Sequence, residues 1–287
     1  MKVKITMDST ADAPKEFLDS YGISYLPLIV NLGDEELYDT VNINSNDILE
    51  YVDKTGKLPH TAARSTEDIK DFFKGFLDSG YDEIVHISIS NELSCQHKNT
   101  VTAAFELCQD KIHVVDGRNL STGTTLLALH ASELAQSGMS GKQIADIIRT
   151  RSYNVQTSFV VDTLKFLHKG GRCSMIEMFG ANLLKLRPKL QLIDGKIVPT
   201  DKYRGKMSAV LLKYVDDTLE KYNNPDTTRC FITHSDADPE VVATIVEHVK
   251  SKNIFKEIIE TKANCTVFTH CGKGTLGILY LNDGGKY

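Results

Sequence analysis

Short β-type runs alternate with helical patterns through the first half of the chain, and that alternation admits few folds. The β-type runs cover 2–6, 23–30, 83–89 and 111–115; helical spacing covers 15–21, 45–52, 65–77, the stretch from the turn at 90–94 to Cys108, 121–136 and 142–152. Pro14 opens the first helix, Ser45 is placed to cap the second, and Ile69, Phe72, Phe73 and Phe76 fall on one face of the third. Strands alternating with helices predict a largely parallel sheet covered by helices on its faces. In such sheets ligands sit beyond the carboxyl ends of the strands. Those ends carry Asp8-Ser9-Thr10, the polar turn at 90–94 and Asp116.

From about residue 154 the pattern changes. A strand at 159–162 leads into a short helix at 163–169, which Gly170-Gly171 end, and an apolar helix at 176–186 stops before Pro188. Residues 189–193 and 196–199 flank Asp194-Gly195, a strong two-residue hairpin signal that brings antiparallel pairing into the sheet. A long helix (208–222), a strand (229–233), a helix (239–250) and β-type runs at 257–261, 266–270 and 276–281 follow. The prediction is an α/β fold of two α/β domains. Residues 1–154 form one with a mostly parallel sheet flanked by helices, and 155–287 form one with a mixed sheet and helices.

Composition narrows the function. At 287 residues and 41% hydrophobic, the chain is long enough for a sizeable core. No run of about eighteen apolar residues is present, and the opening M-K-V-K-I-T-M-D-S-T meets a charge too early for a signal peptide, so the expected location is the cytoplasm. The net charge of −5 arises from scattered residues with no basic block, which argues against nucleic acid as a partner. The six cysteines form no C-x-x-C pair and no H-E-x-x-H occurs, so neither a metal nor a thioredoxin-type redox motif is expected.

Gly272, Gly274 and Gly277 spell G-x-G-x-x-G within T-H-C-G-K-G-T-L-G. A dinucleotide site needs a long helix and a second strand after its glycines, whereas ten residues follow Gly277, and they read as a strand and a tail. The Walker spacing is missing as well. What remains is a glycine turn, taken here as lying between two strands, that brings backbone close to something beside His270. Asp8-Ser9-Thr10 fits helix capping and a phosphate or metal ligand set equally well. Thr61 and Ser94 are hydroxyls on loops at the ligand edge, either caps or ligand contacts. Arg172, after two glycines, is either a fork for a carboxylate or phosphate or a surface arginine near a helix end. His234 reads as turn polarity before the helix that Pro239 opens.

Taken together, these tracts resemble the DegV family of bacterial fatty-acid-binding proteins. The resemblance rests on D-S-T-A-D from Asp8, Leu93-Ser94, V-V-D-T-L-K-F-L-H-K-G-G-R-C-S from Val160, N-L-L-K-L-R-P-K-L from Asn182, D-G-K-I-V-P-T-D-K-Y-R-G-K from Asp194 and the final T-H-C-G-K-G-T-L-G, in order along nearly the whole chain. It implies two α/β domains with a long-chain fatty acid such as palmitate or oleate between them. The carboxylate would be held by Thr61 and Ser94, with Arg172 and His270 near the same headgroup. It further implies no cofactor, no catalysis by the chain itself and no stable membrane insertion, with a separate ATP-dependent fatty acid kinase as partner. Leu26, Leu28, Ile29, Phe159, Met178, Phe179, Leu183 and Leu184 supply candidate apolar lining. Two tracts depart from the family pattern. T-A-A-R-S at 61–65 puts Arg64 where the family has a small or rigid residue, and S-N-E-L-S-C-Q-H at 90–97 loses two glycines while gaining Glu92 and His97. Both hydroxyls survive.

Two other classes of function compete with this one. An esterase or acyl-transfer enzyme would use Ser94 or Cys271 with His270, although no G-x-S-x-G elbow is present. A lipid-sensing module without a kinase is the other.

Overall fold

The structure, a computed structural model, describes residues 1–173 and 186–286. β1 (Val3–Asp8), β2 (Ile23–Leu26), β6 (Glu83–Ser88) and β7 (Ile112–Asp116) form an all-parallel sheet in the order β2-β1-β6-β7. Helices cover both faces, as a parallel sheet requires. On one side α3 (Thr66–Asp78) and α4 (Gln96–Cys108) pack Ile69, Phe73, Ala103 and Ala104 against Leu26, Ile84 and Ile112. On the other, α5 (Thr122–Gln136) and α6 (Gly141–Arg151) pack Leu127, Leu129, Ile144 and Ile148 against Ile5, Met7, Val85 and Val115.

The second sheet has six strands in the order β10-β9-β8-β13-β11-β12, with β8 (Val155–Val160), β9 (Arg187–Ile193), β10 (Lys196–Tyr203), β11 (Arg229–His234), β12 (Glu257–Lys262) and β13 (Leu276–Leu281). β11 and β12 run parallel and the other pairs antiparallel, the mixed sheet expected from the hairpin. The Asp194-Gly195 turn has positive φ at both residues, 50° and 78°, as a tight hairpin demands. α8 (Met207–Lys221) and α9 (Pro239–Ser251) cover one face through Leu211, Tyr214, Val242 and Ile245. α5 lies between the two sheets. Thr122 through Ser132 are all buried, and its cluster takes in Phe231, Leu279 and Leu281 of the mixed sheet. A helix apolar on every side is stable only where protein surrounds it.

Several expectations need correction. The apolar run 23–30 is two strands in different sheets. It breaks at Pro27, which has no N–H to give a ladder. β3 (Ile29–Leu32) then joins β4 (Glu35–Tyr38) and β5 (His60–Ala62) in a small antiparallel sheet, ordered β4-β3-β5, that the sequence reading missed. α2 (Ser45–Thr55) is capped by Asn44, whose Oδ1 accepts from Asn46 N at 2.9 Å and Asp47 N at 3.3 Å, and not by Ser45. The β-type run 266–270 is a helix, α10 (Cys265–Cys271). α7 (Lys165–Lys169) stands where a short helix was expected. The helix expected at 176–186 lies almost wholly outside the described residues.

Candidate functional site

The C-terminal edge of the parallel sheet, α10 and the β9–β10 hairpin enclose a cavity of about 360 Å³. Its wall is mainly apolar, drawn from Leu28, Ile89, Leu93, Leu120, Ile197 and Val267, so both halves of the chain contribute. Thr61, Ser94, Arg172 and His270 all line it, although the first and last are 209 positions apart in sequence. Among the described residues no carboxylate is on the wall. A cavity of this size with a few convergent polar groups is the usual form of a small-molecule site.

Thr61 sits on β5, opposite Val30, and its Oγ1 lies 2.8 Å from His270 Nε2. The other ring nitrogen, Nδ1, is buried and has no partner among the described residues. Burial, then the Arg172 guanidinium and His60, holds the His270 pKa down to about 4, so the ring is neutral at ordinary pH. A neutral imidazole carries one N–H. A lone pair at the partnerless Nδ1 costs less than a stranded N–H, so the proton belongs on Nε2, which donates to Thr61. The Thr61 hydroxyl proton is then free to point into the cavity.

Ser94 precedes α4, and its Oγ accepts from Gln96 N at 3.2 Å, which leaves its own proton available. Arg172 Nη1 donates to Gly170 O at 2.6 Å and Nε to Leu93 O at 3.4 Å, tying the guanidinium to the loop that carries Ser94. Gly170 is where the residue type decides the geometry. A methyl there would lie 2.5 Å from His270 Nδ1, so glycine lets the imidazole reach Thr61.

Asp8 and Ser9 serve neither as side-chain caps nor as open ligands, while Thr10 is on the cavity wall. Asp8 accepts from Ile89 N at 2.8 Å and Gln96 Nε2 at 3.0 Å; Ser9 Oγ donates to Asp39 at 2.9 Å and accepts from Leu28 N at 3.0 Å. Asp39, fully buried and with its pKa raised by that burial, accepts from Cys265 N at 2.8 Å and Thr266 N at 3.2 Å. It thereby caps α10 from 226 positions away. Gln96 Oε1 also accepts from Arg64 N at 2.9 Å, and Asn99 Nδ2 donates to Arg64 O at 2.8 Å, so α4 clamps the loop after Thr61. No spacing rule in the sequence singles out Gln96, Asn99 or Asp39.

The glycine tract is not the expected turn between strands. Gly272, at φ 73°, ends α10 where a methyl would lie 2.5 Å from the Phe166 ring, and Gly277 lies within β13 where a methyl would meet Ser158 O at 2.6 Å. These glycines pack helix against helix and strand against strand. Of the candidate lining residues, Leu28 is on the wall; Phe159 is not, but packs directly behind it in one buried cluster with Ile89, Leu93, Leu120, Ile197 and Val267; Leu26 packs beneath α3 and α4, Ile29 is not on the wall, and Met178, Phe179, Leu183 and Leu184 lie outside the described residues. His234 accepts from Ala237 N at 3.3 Å and approaches Glu260 at 3.3 Å, the turn role expected of it.

Comparison with known proteins bears on this arrangement. The family described as "Uncharacterised protein, DegV family" matches residues 2–283. The chain belongs to the DegV family. A relative from Thermotoga maritima named fatty acid-binding protein is 29% identical, over 96% of each chain. The solved structure of a fatty-acid-binding DegV family protein from Thermus thermophilus matches with a TM-score of 0.90 at 25% identity, covering 98% of this chain and 100% of that one. The Streptococcus pneumoniae Fatty Acid Kinase (Fak) B3 protein, loaded with linoleic acid, matches with a TM-score of 0.84 over 99% of this chain and 100% of that one; at 21% identity this likeness bears on the fold.

Arg64 and Glu92, in the two tracts that depart from the DegV pattern, each have a partner of their own. Arg64 holds its guanidinium 4.7 Å over the Tyr38 ring and 3.4 Å from Asp68, off the cavity wall. Glu92 pairs with Lys196 at 3.3 Å, and Ser90 Oγ donates to Gly195 O at 2.8 Å, so the altered turn docks onto the hairpin. An esterase arrangement finds little here. His270 Nε2 is engaged with Thr61, and burial pushes the Cys271 thiol far above its usual pKa. Among the described residues, no group of three or more histidine, cysteine or acidic side chains is placed to hold a metal, and no helix is long and apolar enough to cross a membrane.

Proposed function

We propose that this protein binds a long-chain fatty acid, burying the acyl chain in the cavity and holding the carboxylate at Thr61 and Ser94, with Arg172 and neutral His270 beside it. The observation that carries this reading is the convergence of those four side chains on one cavity whose wall is mainly apolar. Each methylene removed from water contributes about 0.8 kcal/mol, so affinity comes from the chain and the polar rim sets orientation. Two hydroxyl donors and a nearby guanidinium suit a carboxylate, which only accepts. The names of the Thermotoga and Thermus relatives support the ligand class.

We further propose that 1–154 and 155–287 act as two domains closing over the ligand in the cytoplasm. The carboxylate would be offered to a separate ATP-dependent fatty acid kinase that forms the acyl-phosphate. Native mass spectrometry of the purified protein tests the first step. An added mass of one fatty acid is expected, and a clean apo mass with no uptake of palmitate or oleate refutes it. Incubating the loaded protein with a candidate kinase and ATP, and assaying acyl-phosphate, tests the second.

A further inference from the structure

The two hydroxyls taken as the carboxylate's donors belong to different sheets. Thr61 is in β5, part of the small antiparallel sheet, and Ser94 is in the turn that leads from β6 of the parallel sheet into α4. A carboxylate that accepts from both needs their separation fixed, because hydrogen bonds form only over a narrow range of distance and angle. Both backbone groups of Arg64, in the loop after Thr61, are held by α4. Its N–H donates to Gln96 Oε1 at 2.9 Å and its C=O accepts from Asn99 Nδ2 at 2.8 Å. Gln96 and Asn99 lie three positions apart on one face of the helix. The other end of the grip is the parallel sheet: Gln96 is fully buried and its Nε2 donates to Asp8 Oδ1 at 3.0 Å, while Asp8 Oδ2 accepts from Ile89 N at 2.8 Å. A backbone N–H only donates, so the Gln96 amide oxygen must face Arg64 and its NH2 must face Asp8.

We propose that Gln96 and Asn99 are positioning residues that fix Thr61 relative to Ser94, so that both hydroxyls reach one carboxylate. The inference rests on the fatty-acid reading above and adds what holds its two donors in register. The Ser94 hydroxyl is oriented by the backbone N–H of Gln96, at 3.2 Å, so a side-chain change at position 96 leaves that bond in place. Thr61 in turn keeps its pairing with β3 and its bond to His270. Loss of either amide therefore frees the small sheet to shift against α4 while each hydroxyl stays in its own segment. The cost falls on fixing the headgroup and not on burying the chain.

The test uses the full chain, stripped of lipid, and displacement of a fluorescent fatty acid by oleate. Gln96→Met and Asn99→Ala are each made in the native sequence and in a Thr61→Val, Ser94→Ala background. In the native sequence each change should weaken oleate binding about ten-fold; in the background, where neither hydroxyl remains to be positioned, the loss should be less than about two-fold. A merely structural role would weaken both alike, and so would a direct contact from Asn99, which also lines the cavity. Asn99 is half-buried, so Asn99→Ala supplies the comparison even where Gln96→Met does not fold. Equal losses in the two backgrounds, or no loss in the native sequence, would overturn the proposal. A native protein that takes up no oleate would instead overturn the parent reading.

Discussion

Replacing Gly170 by alanine adds one methyl group 2.5 Å from His270 Nδ1 and 3.1 Å from Phe166 O. Backbone strain does not enter, because φ there is −75°. Alanine should even gain about 0.4–1 kcal/mol by restricting the unfolded chain. Against that gain stands a contact roughly 1 Å closer than van der Waals packing allows, which costs about 1–3 kcal/mol to relieve. Relief means moving the imidazole away, and a bond of 2.8 Å to Thr61 does not survive such a shift, a further loss of about 1 kcal/mol. The net expectation is destabilisation of about 1–3 kcal/mol, read as the shift in urea midpoint, with several-fold weaker binding of a fluorescent fatty acid. Gly75→Ala is the matched control. It sits in α3 with nothing within 4 Å of the new methyl, and should stabilise the protein by about 0.5–1 kcal/mol. A Gly170→Ala protein as stable as the Gly75→Ala control, with unaltered binding, would refute the account of how His270 is placed.

Asp39→Ala removes the acceptor for Ser9 Oγ and for the backbone N–H groups of Cys265 and Thr266; about 3 kcal/mol or more should be lost, and hydrogen exchange at those two amides should speed up. Arg151 is buried between Asp226 at 2.5 Å and Asp283 at 2.8 Å, and Arg151→Met, by leaving two carboxylates without their cation, should cost about 3–5 kcal/mol in chemical denaturation. Because His270 is held at about 4 against an ordinary 6.5, the unfolded chain takes up a proton between those values that the folded protein refuses. Stability should therefore fall as the pH drops from 6.5 to 4, with His270 contributing at most roughly 3 kcal/mol, and His270→Gln should flatten that part of the profile.

Much of the parallel half was legible because its strands and helices obey single periods. The run at 83–89 and the spacing of Ile69, Phe72, Phe73 and Phe76 left little choice, and β6 and α3 formed where expected. Asp194-Gly195 was equally plain, since its two positive φ angles are a local demand. The site was legible only as a list. Thr61, Ser94, Arg172 and His270 were named from ordered motifs, yet nothing in their spacing says that His270 bonds Thr61, or that Gly170 makes room for the ring. Those facts belong to three segments meeting, and a periodicity describes one segment at a time.

The stretch Cys265–Cys271 separates the two kinds of information most clearly. Its residues, C-T-V-F-T-H-C, are β-branched, aromatic or otherwise poor helix formers, and by local preference they read as a strand. They are a helix because the buried Asp39 carboxylate accepts their first two backbone N–H groups and because Cys265 and Phe268 pack on Val30 and Ile48. The amino-acid order by itself determined two sheets, their helices and a polar residue set at the ligand edge, since each follows from preferences acting over a few residues. The tertiary structure alone decided that α10 is a helix, that it carries His270 to Thr61, and that a cavity lies beneath them. Hydrogen bonds and packing from distant parts of the chain outweigh a weak local preference once they can act together.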